Sequence, residues 1–180
     1  MGIKYFLFLS LFFFSVAANA QKYKQQLQVG GSLNIPTINL SNITNLGYGG
    51  YAKGMFGFSR YNQQITLEAG YNTFPVDKDL TGGFRSHYSM LPVYLGYRYL
   101  FPIGITLESQ AGISFNKLKV GSGSAFVADK TTSFALALGA GYQLRNIELG
   151  IKYQLTNVKN SDDDITFFTV RLGYNFLLHK

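Results

Sequence analysis

The segment from Ile165 to Leu178 alternates between apolar and polar residues with a period of two. One alternate row is apolar or aromatic and consists of Phe168, Val170, Leu172, Tyr174 and Phe176. The other row is small or polar and consists of Thr169, Arg171, Gly173 and Asn175. Because successive side chains of a β-strand point to opposite faces, one face suits hydrocarbon and the other suits a polar interior. The pattern predicts a β-strand that crosses a membrane.

Seven earlier segments repeat this alternation. They cover residues 24–35, 46–58, 64–72, 87–99, 105–115, 134–144 and 147–156. The connections between the eight segments alternate between long and short, and the long ones lie near residues 36–46, 75–86, 116–131 and 157–164. Bacterial outer-membrane barrels have short periplasmic turns and long outer loops. The sequence therefore predicts an all-β fold, an eight-stranded antiparallel up-and-down transmembrane β-barrel with both termini in the periplasm.

Two prolines and two connections carry finer expectations. Pro36 is expected to end the first strand and Pro92 to force a bulge in the fourth, because proline cannot donate a hydrogen bond to a neighbouring strand. Asn116–Lys130 is expected to be a long loop with its tip at Gly121–Ser124. Arg145–Asn146 is expected to be a two-residue turn. Each expectation states where a ladder of hydrogen bonds begins, ends or is interrupted.

The first twenty residues differ from the rest of the chain. Lys4 precedes an apolar run from Tyr5 to Val16, which is followed by Ala18-Asn19-Ala20. A positive residue, a short apolar core and small residues at a cleavage site are typical of a secretory signal peptide. The run is shorter than the roughly 20 apolar residues that a membrane-spanning helix needs. We therefore predict a signal peptide at 1–20 and a barrel domain at 21–180.

Composition agrees with an exported protein in a lipid environment. The 180 residues include no cysteine, so a closed hydrogen-bonded barrel would have to take the place of disulfides. Only 14% of the residues are charged, and the net charge is +7. The lysines and arginines are scattered, without a basic helix, which argues against nucleic-acid binding and favours attraction to anionic lipid head groups. With no cysteine and two histidines, no metal or other cofactor is predicted.

Outward aromatic residues fall into two groups along the predicted strands. Those beside the short turns are Phe56, Phe58, Tyr97, Tyr99, Tyr142, Tyr174 and Phe176. Those nearer the long loops are Tyr48, Tyr71, Phe115, Phe134 and Phe168. Aromatic girdles mark the two membrane interfaces of outer-membrane barrels. The two groups predict where the barrel meets the head groups of each leaflet.

Seven ionisable residues lie on the inward rows and are expected to form a charge network in the barrel interior. They are Lys53, Glu68, Arg98, Glu108, Glu148, Lys152 and Arg171. An eight-stranded barrel is just wide enough for its own side chains, so these groups are expected to pair and plug the lumen. Lys53 is expected to pair with Glu68 within one hairpin, and Glu108 and Glu148 with the remaining cations. A narrow channel is the alternative interpretation.

His87 and Ser89 form the one candidate catalytic pair. They are two residues apart on a strand and therefore share a face near the outer end of the barrel. A histidine base beside a serine is the arrangement of a hydrolase nucleophile. His87-Tyr88-Ser89 resembles the H-x-S of lipid A deacylases such as PagL, which implies a lipid A-modifying hydrolase. Met90 follows the serine where those enzymes carry Asn, and Glu108 is on the opposite face, so a polar strand end is the favoured interpretation.

Two other stretches resemble a known family. Leu91-Pro92-Val93-Tyr94-Leu95-Gly96-Tyr97-Arg98-Tyr99, followed by Phe101-Pro102, is similar to a strand of the Bacteroidota outer-membrane barrels that include PorT-like proteins. The ending Leu172-Gly173-Tyr174-Asn175-Phe176 is also similar. More broadly, the chain resembles the OmpA/OmpX type of eight-stranded barrel. Many such chains end on the aromatic residue, whereas here Leu177–Lys180 follows, which departs from the C-terminal signal read by the barrel-insertion machinery.

The leading hypothesis is a small non-enzymatic outer-membrane barrel. Its long outer loops would serve adhesion, partner docking or envelope support. The expected partners are outer-membrane lipid and lipopolysaccharide, the barrel-insertion machinery during assembly, and a protein at the extracellular loops. The alternatives are the Ser89/His87 hydrolase, a narrow channel, and an accessory barrel of a secretion system, the last implied by the PorT-like resemblance alone.

Overall fold

The computed structural model describes residues 25–37, 46–58, 62–75, 85–122, 125–157 and 165–179. They form eight strands: β1 (Gln25–Thr37), β2 (Gly47–Gly57), β3 (Gln63–Pro75), β4 (Arg85–Leu100), β5 (Ile105–Ser122), β6 (Ala125–Leu144), β7 (Ile147–Asn157) and β8 (Ile165–His179). Each strand pairs antiparallel with the next, and β8 closes on β1 to complete a barrel. The predicted fold class is confirmed. The predicted signal peptide at 1–20 lies outside the described residues.

The two faces of the barrel wall differ as the alternation predicts. On β8, Leu172 is 58% exposed whereas the neighbouring Arg171 is 7% exposed. Large apolar side chains cover the outside of the other strands as well, with Leu95 at 62% and Leu138 at 65%. This arrangement is the inverse of a soluble domain and suits a barrel surrounded by lipid. No helix in the described ranges has the length and apolarity that crossing a bilayer requires.

Short turns join strands at one end of the barrel. Arg145–Asn146 is a two-residue turn between the paired ends of β6 and β7, as expected, with Arg145 at a φ of 54°. β4 and β5 are joined through Phe101–Gly104, where Gly104 has a φ of 89° that a residue with a side chain rarely adopts. The opposite end of the barrel is called the outer end below.

The prediction of a long loop at Asn116–Lys130 is wrong. β5 continues to Ser122 and β6 begins at Ala125, and the two strands stay paired in one register throughout, from Lys117 opposite Lys130 to Ser122 opposite Ala125. Gly121 and Ser122 still belong to β5, and residues 123–124 of the expected tip lie outside the described residues. The flanking residues include Val120, Val127 and two threonines, which favour extended backbone. The hairpin therefore extends well past the polar residues that suggested a loop.

Neither proline behaves as expected. β1 continues past Pro36 to Thr37, because beyond Asn34 the described β1 pairs only with β8, and a strand with one free side tolerates proline. No bulge forms at Pro92. Pairing between β3 and β4 is interrupted for two residues but keeps its register on both sides, and the β4–β5 register runs unbroken through Pro92. Gly70 of β3 lies beside the Pro92 ring in the lumen.

Candidate functional site

The barrel interior is built around three carboxylates. Glu68 on β3 accepts hydrogen bonds from Lys152 Nζ at 2.8 Å, from Arg171 Nη2 at 2.9 Å and from Gln110 Nε2 at 3.2 Å. Lys152 comes from β7 and Arg171 from β8, across the lumen from β3. One acidic side chain thus ties three other strands to its own.

Glu108 on β5 forms a second centre. Its carboxylate accepts from Lys53 Nζ at 2.9 Å, Thr66 Oγ1 at 2.7 Å and Gln110 Nε2 at 3.0 Å. Lys53 stands directly opposite Glu68 in the β2–β3 register, yet its ammonium pairs with Glu108 instead. The predicted Lys53–Glu68 pair is therefore wrong. Glu68 is already paired with Lys152 and Arg171 from the opposite side of the barrel. A long lysine side chain can reach past its cross-strand neighbour.

Glu148 on β7 forms the third centre, nearest the short turns. It accepts from Arg98 Nη2 at 2.5 Å, Gln28 Nε2 at 3.0 Å and Thr106 Oγ1 at 3.4 Å. Arg98 also donates to Gln64 and to Gln143. The three centres account for all seven inward ionisable residues and leave one positive charge in excess.

Two tyrosines that the sequence pattern did not assign to the network complete it. The Arg171 guanidinium lies 3.9 Å from the Tyr51 ring centroid, and Lys152 Nζ lies 4.2 Å from that of Tyr94. Cations over aromatic faces are stabilised by the ring quadrupole. A cavity of about 10 Å³ remains between these groups, which is room for about one water molecule. The excess positive charge is therefore spread over aromatic faces in a nearly filled interior.

The outer end of the lumen is filled by apolar side chains instead. Phe74, Met90 and Phe167 are fully buried together, and Tyr88 and Ile165 pack against them. The Phe74 and Phe167 rings meet edge to face with centroids 5.3 Å apart. The apolar cluster was not predicted from the sequence. The alternation of faces could have predicted it, because Phe74 is two residues after the inward Asn72 on β3 and Phe167 is two residues before the inward Thr169 on β8.

On the outside of the barrel, a groove of about 440 Å³ crosses β3 to β6 near the outer end. Its lining includes Tyr71, Ser89, Leu91, Phe115, Lys117 and Thr132. The Tyr71 hydroxyl donates to Ser89 Oγ at 3.1 Å. His87 belongs to β4, but its side chain is outside the described part of the structure. Glu108, the acid considered for this pair, lies inside the lumen with Lys53.

The described residues hold no group of three or more His, Cys, Asp or Glu side chains that could bind a metal ion. A closed antiparallel barrel with an apolar exterior and a polar, ion-paired interior defines the class of outer-membrane β-barrel proteins. Residues 6–176 match the family model of the outer membrane protein beta-barrel domain, and the chain belongs to that family. No curated protein matches the chain significantly.

Solved structures show the same fold at low sequence identity. Ail, the attachment invasion locus protein of Yersinia pestis, is 14% identical with a TM-score of 0.62, over 85% of this chain and 98% of Ail. The N-terminal β-barrel domain of Pseudomonas aeruginosa OprF is 13% identical with a TM-score of 0.62, over 86% and 100% of the two chains. Neisserial surface protein A is 11% identical with a TM-score of 0.57, over 84% and 95%. At these identities the likeness establishes the architecture.

Proposed function

We propose that this outer-membrane barrel is a non-conducting, non-enzymatic scaffold whose function lies in what it presents outside the membrane. The observation that carries the proposal is the filled lumen. Each of the three interior carboxylates is paired with at least one cation, and the apolar cluster fills the outer end. A conducting path would have to separate buried ion pairs, and leaving one such charge unpaired costs several kcal/mol.

Planar-bilayer recording of the purified barrel tests this proposal. We expect no discrete conductance steps, because neither the ion-paired interior nor the apolar cluster leaves a continuous water path. A double variant that removes Phe74 and Phe167 side chains is the informative control, since it empties the outer end without changing the interior charges. Reproducible single-channel steps from the unaltered protein would contradict the proposal and favour the narrow channel.

The surface available for docking is the outer extension of β4, β5 and β6. In the described residues, β6 from Ala125 to Ser133 pairs with β5 alone, whereas its pairing with β7 begins at Phe134. Nine residues of strand span about 30 Å, so this extension reaches beyond the other strands as far as the structure describes them. Ail is an attachment protein by name and has been crystallised with a heparin analogue. Adhesion or partner docking through the extension is our proposal for the present chain.

Shortening the extension tests its role. Removing residues 119–128 and closing the hairpin with a two-residue turn should abolish adhesion of cells that display the protein, while the barrel still folds. Heat-modifiable gel migration verifies the folding of the shortened barrel. Unchanged adhesion would assign the function to other loops or to envelope support.

Within the family, the strand Leu91–Tyr99 and the following Phe101-Pro102 turn favour placement among the PorT-like barrels of Bacteroidota. That placement would make the barrel an accessory of a secretion machine rather than a free-standing adhesin. Co-purification of a defined complex from native membranes would support this version of the docking proposal, and a barrel recovered alone would oppose it.

A further inference from the structure

The groove on the outside of β3 to β6 lies where the barrel surface changes from apolar to basic. One row, called the apolar row here, consists of the cross-strand partners Leu91, Phe115 and Thr132 together with Tyr71, which lines the same groove from β3. The next step towards the outer end on the same face, two residues further along each strand, is a second row, called the basic row, which consists of Thr73, Ser89, Lys117 and Lys130. A change of this kind across one step is typical of a membrane surface.

The apolar row coincides with the outer aromatic girdle. Tyr71, Phe115, Phe134 and Phe168 are all about half exposed on the outside of the barrel. Aromatic residues in such girdles mark the head-group level of the bilayer. The groove therefore opens at the depth where lipid phosphates meet the first methylene groups of the acyl chains.

Two lysines meet in the basic row, and a third position just beyond it is also a lysine. Lys117 and Lys130 occupy directly opposed positions on β5 and β6, and Lys119 follows two residues further along β5, opposite His87 of β4. Like charges at directly opposed positions of a sheet are destabilising. None of the residues at these positions or in the two rows is acidic. An anion bound at this point would offset the repulsion.

We propose that this groove binds one phosphorylated lipid of the outer leaflet. The phosphate would lie against the Lys117 ammonium and the hydroxyl groups of Ser89 and Thr132, and an acyl chain would follow Leu91 and Phe115. The groove volume of about 440 Å³ falls within the usual range for a small-molecule site. A soluble anion would use the basic row alone, whereas the adjoining apolar row gives a lipid its second contact. The inference depends on the barrel's location in the outer membrane and not on its filled lumen.

Native mass spectrometry of the full-length barrel released from phosphatidylcholine nanodiscs tests this. The nanodiscs contain either lipid A with its phosphates or the same lipid A after dephosphorylation. We expect about tenfold higher retention of the phosphorylated form, since hydrogen bonds to a charged group contribute a decade or more in affinity. Excess inorganic phosphate should not displace the lipid, because it lacks the apolar contact.

Lys117→Gln should lower the retention of phosphorylated lipid A by about tenfold, because Lys117 is the cation that lines the groove. Arg145→Asn is the matched control, because it removes one exposed positive charge at the opposite end and places a residue tolerant of positive φ in the turn. Heat-modifiable migration verifies folding of each variant. Equal retention of the two lipids, full displacement by inorganic phosphate, or unchanged retention in the Lys117→Gln variant would overturn the inference. Bilayer conductance tests the filled lumen separately.

Discussion

The lumen is filled by different chemistry along its length. Its middle holds ion pairs centred on Glu68, Glu108 and Glu148, whereas its outer end holds the apolar cluster of Phe74, Met90 and Phe167. The ion pairs are directional, and each depends on a specific partner from another strand. The apolar cluster depends on volume and shape. Two fillings with different requirements mean that one substitution is not expected to open the barrel from end to end.

Glu68→Gln should have the largest effect on stability. It leaves Lys152 and Arg171 buried without their carboxylate, and breaking a buried pair by removing one partner costs about 3–5 kcal/mol of unfolding free energy. Urea titration in lipid vesicles followed by tyrosine emission measures this, and the chain has no Trp to obscure the signal. Glu148→Gln is the control, because among the described residues Glu148 is paired with one cation, Arg98, whereas Glu68 is paired with two. Equal losses in the two variants would contradict the central position of Glu68.

Phe167→Ala tests the apolar cluster at the outer end of the lumen. Loss of a buried Phe side chain costs about 3 kcal/mol through lost contacts and the cavity left behind. The adjacent Phe168 faces outward towards lipid and is 46% exposed, so Phe168→Ala removes the same atoms without leaving a cavity in the lumen and is a matched control with a smaller expected loss. The measurement is the same urea titration, repeated at high salt. A Phe167→Ala effect that changed strongly with salt would show that the two fillings are not independent.

The division into inward and outward residues follows from the sequence because it depends only on strand parity. Arg171 and Leu172 are neighbours in the chain and lie on opposite sides of the wall, as the period of two requires. The pairing of Lys53 with Glu108 does not follow, because it depends on which side chains reach across the lumen between strands far apart in sequence.

Two other features were not predicted from the sequence, for local reasons. Phe167 and Phe168 are consecutive aromatic residues, and only the parity fixed by Thr169 shows which one enters the lumen. The β5–β6 hairpin extends through Lys, Gly and Ser residues that suggest a loop, because pairing with a neighbouring strand outweighs their low strand propensity. Propensity describes single residues, whereas the ladder stabilises both strands together.

Replacing Lys53 by Met and Glu108 by Leu together should cost much less than either change alone. A buried ion pair exchanged for apolar groups of similar volume is often close to neutral, whereas a single change leaves one charge unpaired. We expect a loss of about 1 kcal/mol for the double variant and about 3 kcal/mol for Lys53→Met. Double-mutant cycles from urea titrations measure the coupling. Additive losses would mean that Lys53 and Glu108 do not depend on each other and would weaken the view of the interior as a set of partnered charges.

Ser89→Ala should have the smallest effect, within about 0.5 kcal/mol of unfolding free energy, because Ser89 belongs to neither filling and contacts the Tyr71 hydroxyl on the outside. The same variant addresses the hydrolase hypothesis. Glu108 is engaged by Lys53 inside the lumen and is not placed to orient a histidine on the outer face. We therefore expect the same lipid A mass from cells that express the unaltered protein, from cells that express the Ser89→Ala variant and from cells that express neither protein. An acyl-chain loss that required Ser89 would instead make the outer groove a catalytic site and the lumen only its support.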